Sequence, residues 1–280
     1  MFSSVRPGWV LVTGAASGIG RATALAFADA GANLVLTDIN AAALQEVFAE
    51  VQGRGSDCVA RPADVSSDRE MRELAAWVRA EISAPALDVL VNNAGIGYLG
   101  SFLDTPPEAW QRVLQVNLLG VVNGCRAFLP DMIRAGGKRR IVNVASLAGL
   151  VAAPNISAYA ATKHAVVGLS ESLSLELRLK GAQVGITTVC PGIINTQIAK
   201  VRANVATTID DAQYERLTEY YTRQGANPEV VADAIVRAVR SGRELVLVGP
   251  FAKPLYYLRC FSRRLAQRLV LQDARSAGYV

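Results

Sequence analysis

The chain has 280 residues, 51% of them hydrophobic and 19% charged, with a net charge of +5. That length and apolar content suit one large α/β domain with a substantial core, and a single histidine, His164, argues against hydrolase triads and histidine-rich metal centres. The four cysteines, Cys58, Cys125, Cys190 and Cys260, are scattered without C-x-x-C or ligand spacing, which predicts reduced thiols in a cytoplasmic protein, with neither a disulfide framework nor a metal site.

The stretch before Trp9 is too short and too polar for a secretory signal, and no apolar run reaches the ~18 residues that predict a membrane span. Trp9–Thr13 is a short β-branched run that predicts a strand. It leads into Gly14-Ala-Ala-Ser17-Gly18-Ile19-Gly20, after which Arg21–Ala30 shows helical spacing and closes at Gly31. A second strand, Asn33–Thr37, ends at Asp38. Glycines at a strand-to-helix junction let the chain turn tightly and its backbone approach a pyrophosphate, which then faces the helix N-terminus. Asp38 follows Gly20 by 18 residues, the separation expected of a ribose-binding carboxylate. A carboxylate accepts hydrogen bonds from both ribose hydroxyls and repels a 2′-phosphate. Ile39 follows it, not an arginine, and Arg21 should lie within the helix. NAD is therefore favoured over NADP.

Helices predicted over 41–53, 67–82, 110–129 and 157–180 then alternate with strands over 57–63, 87–91, 140–146, 184–190 and 244–248. Continuous apolar strands between helices imply a parallel sheet covered on both faces. The expected architecture is a doubly wound, Rossmann-like domain over residues 1–250 with a helical extension over 251–280. Ligands collect at the carboxyl ends of such strands, where Gly14, Asp38, Asp64, Asn92, Ser146 and Pro191 all fall.

Tyr159 and Lys163 stand at i and i+4, which puts both on one helix face. A free tyrosine has a pKa of about 10. A neighbouring ammonium pulls it down, and the phenol then exchanges protons with an alcohol or carbonyl near neutral pH. Asn117 is unfavourable within a helix, which suggests a task for its side chain. His164 lies about 100° around the helix from Lys163, so it is expected to be structural or superficial.

Thr13-Gly-Ala-Ala-Ser-Gly-Ile-Gly20, Asn92-Asn-Ala94-Gly95, Ser146, Tyr159-x-x-x-Lys163 and Pro191-Gly192 together resemble the short-chain dehydrogenase/reductases, over about residues 8–250. The resemblance implies NAD(P)-dependent hydride transfer on CH–OH groups or their ketones. Tyr159 would be the acid/base, and Lys163 would lower its pKa and bind the nicotinamide ribose. Ser146 would hydrogen-bond the substrate oxygen, and Asn117 would hold a water in the proton relay. By the same resemblance Gly14, Ser17, Gly18, Ile19 and Gly20 surround the pyrophosphate, Asp64 and Val65 contact adenine, and Asn92 to Gly95, with Ala94 between them, shape the adenine-ribose wall. Ile194 and Thr196, after Pro191-Gly192, would meet the carboxamide. Relatives commonly form tetramers through the long helices flanking Ser146, and the apolar runs in 110–129 and 157–180 permit a tetramer or dimer.

The end of the chain departs from the family. Leu255, Leu258, Phe261, Leu265 and Leu269 recur at helical spacing with Arg259, Arg263, Arg264 and Arg268 largely between them. From Phe251 onward these arginines, Lys253 and Arg275 face one acid, Asp273, so residues 1–250 are nearly neutral and nucleic-acid binding by the body is not expected. A basic amphipathic helix suits a cover over the cleft, packing on its own or a neighbouring subunit, or contact with an anionic membrane surface. The loop 147–158 is mostly apolar, with no Arg or Lys to grip a carboxylate or phosphate. A hydrophobic secondary alcohol or ketone, lipid- or terpenoid-like, is the expected substrate. An NAD-retaining epimerase or dehydratase would usually need a larger sugar-nucleotide domain. A non-catalytic dinucleotide-binding regulator would typically have lost the tyrosine or lysine.

Overall fold

The computed structural model describes residues 8–277. Among them, Trp9–Thr13 (β1), Asn33–Thr37 (β2), Cys58–Ala60 (β3), Val89–Asn92 (β4), Arg139–Val144 (β5), Val184–Pro191 (β6) and Leu245–Val248 (β7) form one seven-stranded sheet, ordered β3-β2-β1-β4-β5-β6-β7. All six pairings are parallel. The order reverses between β1 and β4, which opens a crevice at the strands' carboxyl ends.

Both sheet faces are covered, which is why the strands read as unbroken apolar runs. Val10, Val12, Leu34 and Leu36 pack under helices Gly18–Asp29 (α1), Ala41–Gln52 (α2) and Pro228–Ser241 (α8). Leu11, Val35 and Leu90 face Asp68–Glu81 (α3), Gly120–Arg134 (α5) and Ser157–Leu179 (α6). Phe27 is fully buried within the first layer. Truncating such a side chain removes its burial and leaves a cavity, so Phe27→Ala is expected to cost about 3–5 kcal/mol. Denaturant midpoints at unchanged slope would measure it, and a loss under ~1 kcal/mol would contradict this packing.

Several boundaries differ from the expectation. The strand expected over 57–63 shrinks to Cys58–Ala60 because it is an edge strand, paired with β2 alone. The helix expected over 110–129 is three segments: Pro107–Leu114 (α4), a π-turn at Gln115–Leu119, and α5. The helical run Pro107–Arg134 reaches a mean hydropathy of 1.2 over an 18-residue window, long and apolar enough to cross a membrane by length and composition. Here its apolar side is core, with Val121, Cys125, Phe128 and Met132 buried under the sheet. Helix α8 was not expected, although Val231, Ala234, Ile235, Ala238 and Val239 recur at helical spacing. Pro228 opens it and Gly242, at φ 73, ends it.

Candidate active site

The glycine turn between β1 and α1 is built by contacts that exclude side chains. Gly14 has φ 63, and a Cβ there would stand 2.8 Å from the Ala94 Cα. A Cβ at Gly20 would collide with the Gly14 carbonyl, so Gly20 seats the helix on the turn and does not line the cavity. Asn93 fastens the turn: its Nδ2 donates to the carbonyls of Thr13 (2.9 Å) and Gly14 (3.2 Å). Thr13 Oγ1 in return accepts from Asn93 N at 3.0 Å and Ala94 N at 3.1 Å. Helices α2 and α3 are capped by Asn40 and Ser67, but α1 has no side-chain cap and no acid in its first turn. Its amides and positive dipole end are therefore available to an anion over the cavity.

Asp38 curls over this turn, accepting from Ala16 N at 3.0 Å and Asn40 N at 2.9 Å while lining the cavity. Arg21 points away, bound to Glu50 Oε1 at 2.8 Å and Oε2 at 2.6 Å. Asp64 and Val65 complete this end. The Asp64 carboxylate accepts from Ser66 N and Oγ at 2.9 and 2.7 Å, while Ser67 caps α3.

Asn92 does not reach the wall. It is buried under α5, donating to Asn143 Oδ1 at 2.9 Å, with Gly124 packed against it. Successive strand residues point to opposite faces, so Asn92 turns inward and Asn93 outward. Of the wall expected over Asn92 to Gly95, Asn93, Ala94 and Gly95 line the cavity and Asn92 does not.

Ser146 follows β5, and its Oγ accepts from Ala148 N at 3.1 Å. Tyr159, in the first turn of α6, receives a hydrogen bond from that hydroxyl. Lys163 Nζ lies 5.6 Å from the Tyr159 ring centre and donates to the Val144 carbonyl at 2.9 Å. The expected lowering of the Tyr159 pKa is overturned here: burial pushes it up to about 12, Tyr221 and Cys190 add to the rise, and Ser146 opposes it. Burial also pulls Lys163 down to about 8. A buried ammonium held by a carbonyl is penalised itself, so the cationic help expected for the phenol is offset. Tyr159 remains partly open to the cavity.

Asn117 is fully buried in the π-turn. Its Oδ1 accepts from Ile96 N at 2.8 Å, and its Nδ2 donates to Ile96 O at 2.9 Å and to Thr162 Oγ1 at 3.3 Å. The side chain expected in a water relay thus clamps the loop after β4. His164 is exposed, its Nδ1 2.9 Å from the Ala160 carbonyl oxygen.

Gly14, Ser17, Gly18, Ile19, Asp38, Asp64, Val65, Ala94, Gly95, Ser146, Tyr159, Lys163, Pro191, Gly192, Ile194 and Thr196 all line one cavity of about 1120 Å³. Of the expected site residues, Gly20, Asn92 and Asn117 stand behind it. The far end is apolar, with Leu147, Val151, Ile156, Ile193 and Ile198 in its wall. Arg112 also reaches the wall, pinned by Asn204.

The extension folds as two helices, Ala252–Phe261 (α9) and Arg263–Ala277 (α10), where one was expected. Ser262 breaks them with an extended backbone, φ −150 and ψ 106, and its Oγ accepts from Leu265 N at 3.4 Å. Helix α10 returns over the cavity and contributes Leu269, Val270 and Asp273 to its wall. Ala274 packs on Leu217 and Tyr220 of Asp211–Gln224 (α7), and the Tyr220 hydroxyl meets both Asp273 oxygens at 2.8 Å. Of the roles open to the extension, two are observed: it packs on α7 of its own subunit and covers the cleft.

The profile of the short chain dehydrogenase family matches residues 8–206. The chain is 42% identical over 264 residues to the Mycobacterium tuberculosis protein named "Probable oxidoreductase EphD", an alignment that covers 93% of this chain and 43% of that one. It therefore spans less than half of that relative's length. It is 36% identical over 280 residues to "Dehydrogenase/reductase SDR family member 7B" of Bos taurus, covering 98% and 84%. A Burkholderia phymatum short chain dehydrogenase/reductase crystallised with NAD superposes with a TM-score of 0.84 at 30% identity, covering 92% of this chain and 95% of that one. A metagenomic short-chain oxidoreductase in complex with NADP gives 0.67 at 30% identity, covering 83% and 90%. Fold, ordered motifs and relatives agree: the chain belongs to the short-chain dehydrogenases.

Proposed function

We propose that this protein is an NAD-dependent oxidoreductase acting on hydrophobic secondary alcohols and their ketones, with Tyr159 as the proton carrier. One observation carries the reading: Ser146, Tyr159 and Lys163 converge between a dinucleotide-sized cradle and the apolar end of the same cavity. The cradle fits a dinucleotide, because side chains are excluded at Gly14 and the α1 amides are uncapped. Gly14, Ser17, Gly18 and Ile19 would hold the pyrophosphate, Asp38 the adenosine ribose, and Ile194 and Thr196 the carboxamide. When bound, the nicotinamide supplies the hydride acceptor or donor.

The chain's own residues handle the proton. Ser146 orients the substrate oxygen towards the phenol, whose oxygen takes the alcohol proton in oxidation and returns it to the carbonyl oxygen in reduction. Lys163 presents an ammonium beside the ring, and Asn117 fixes the loop that packs over it. The apolar wall excludes water from the reacting carbon and selects substrates without charged groups near the carbinol. Free thiols at Cys58, Cys125, Cys190 and Cys260 suit a reducing, cytoplasmic setting. Exposed Leu114 and Leu119 before α5, and Leu175 and Leu179 on α6, suit a homo-oligomer, tetramer or dimer, built on those helices.

The preference for NAD rests on Asp38 and on the engagement of Arg21 by Glu50, which holds that guanidinium away from a 2′-phosphate. Each hydrogen bond to a charged acceptor contributes about 1.5–3 kcal/mol. Asp38→Asn is therefore expected to weaken NAD binding about 10- to 100-fold while NADP binding holds or improves. Fluorescence titration of both cofactors measures this, and tighter NADP than NAD binding by the unmodified chain would overturn the preference. Turnover of a series of secondary alcohols should rise with chain length. NAD binding without turnover of any alcohol or ketone would favour a regulator instead.

A further inference from the structure

We infer that α9 and α10 form a docking surface for an anionic lipid bilayer, set beside the mouth of the substrate cavity. Phe261 at the helix junction is 87% exposed, and on α10 Leu265 and Leu269, four residues apart on one face, are 43% and 48% exposed. Leu269 also lines the cavity, so this apolar row runs from the helix junction to its rim. Beside it on α10, Arg264, Arg268, Leu271 and Arg275 recur as a second outward stripe, turned away from buried Ala266 and Ala274. Among the described residues, Arg263, Arg264, Arg268 and Arg275 have no ion pair, and all four are exposed. The one carboxylate of the extension, Asp273, is engaged by Tyr220.

Charge complementarity selects the occupant. A two-fold contact with a second copy sets this face against itself, arginine against arginine with no carboxylate between them. A nucleic acid would meet the arginines and leave Phe261 and Leu265 in water. An anionic bilayer satisfies both stripes, with phosphates for the guanidiniums and the acyl boundary for the aromatic and aliphatic side chains. Apolar alcohols would then pass from the bilayer into the cavity along Leu269. That last step rests on the substrate reading above; the docking itself does not.

The test is co-sedimentation of the full chain with vesicles of phosphatidylcholine alone and of phosphatidylcholine mixed with phosphatidylglycerol, at low and high salt. Binding only to the mixed vesicles, weakening as salt rises, is the expected result. A surface arginine contributes about a five-fold gain near an anionic surface, so Arg264→Gln, Arg268→Gln and Arg275→Gln together should lower the partition coefficient roughly 100-fold. The corresponding triple lysine variant should bind nearly as well as the unmodified chain. NAD affinity and turnover of a short, water-soluble alcohol should not change in either variant. Failure to bind mixed vesicles overturns the proposal, as does equal binding to both vesicle types. Self-association lost in Phe261→Asp without vesicle binding, or capture of DNA in preference to vesicles, also overturns it. Vesicle binding by a chain that turns over no alcohol would leave the docking standing and remove the substrate reading.

Discussion

Tyr159→Phe is expected to bind NAD with near-native affinity and to lose about 10²–10⁴-fold in kcat. The ring is retained, so the wall it contributes between Ser146 and Lys163 keeps its shape. What disappears is the one oxygen that receives the Ser146 hydrogen bond and borders the apolar end of the cavity. In the unmodified protein the two reaction directions should differ in pH dependence. Alcohol oxidation needs the phenolate, and burial pushes the Tyr159 pKa up to about 12. Oxidation should therefore accelerate with pH across the neutral and mildly alkaline range, while ketone reduction, which uses the phenol, should stay level or fall. Initial rates in both directions, with cofactor titration of the variant, check these outcomes. A variant that keeps more than about a tenth of native kcat would remove Tyr159 from the role of proton carrier.

Lys163→Met should separate stability from activity. Burial lowers the lysine pKa from 10.5 to about 8. Between those values the unfolded chain binds more protons than the folded one, so stability rises with pH through that window. Below about pH 8 the full cost of the buried ammonium is present, on the order of 3 kcal/mol. Methionine removes that cost but leaves the Val144 carbonyl unpaired, a loss of about 1 kcal/mol. The net expectation at pH 7 is a more stable protein, by about 4 °C in Tm. Its advantage should shrink as pH approaches 10. Activity should fall about 10²–10⁴-fold, because the proton carrier loses its neighbouring charge. Thermal melts at pH 7 and 10 alongside kcat provide the measurement. A variant less stable than the parent at pH 7 would contradict the burial assigned to Lys163.

The parts of this molecule legible in its sequence are those written as local spacing. Gly14, Gly18 and Gly20 between an apolar run and a helix declare the cradle, and the four-residue step from Tyr159 to Lys163 declares a shared face. The illegible parts depend on distant contacts or on competing energies of similar size. Nothing in Asn92-Asn93 says which amide turns into the core, because that is fixed by the parity of β4 against α5. Asp273 meets Tyr220 across 53 residues, and neither residue marks the other in advance. Ser262 breaks a helix without a proline or glycine to signal it. The Tyr159 pKa is raised by burial against the Ser146 hydrogen bond, and sequence supplies the neighbouring lysine but not the burial.

The π-turn at Gln115–Leu119 has a further consequence in helical phase. On a regular helix the buried residues of α4, Ala109 and Val113, would lie roughly 100° away from the stripe formed by Val121, Cys125, Phe128 and Met132. That offset is about one residue, the extra residue that a π-turn accommodates. The wide turn thus works as a phase corrector, letting α4 turn its apolar side to α6 while α5 keeps its own under the sheet. Insertions and deletions are accordingly constrained here far more than substitutions. Losing one residue between Gln115 and Leu119 would restore a regular helix and rotate either α4 off its packing or Asn117 off Ile96, unlatching the rim of the cavity from behind.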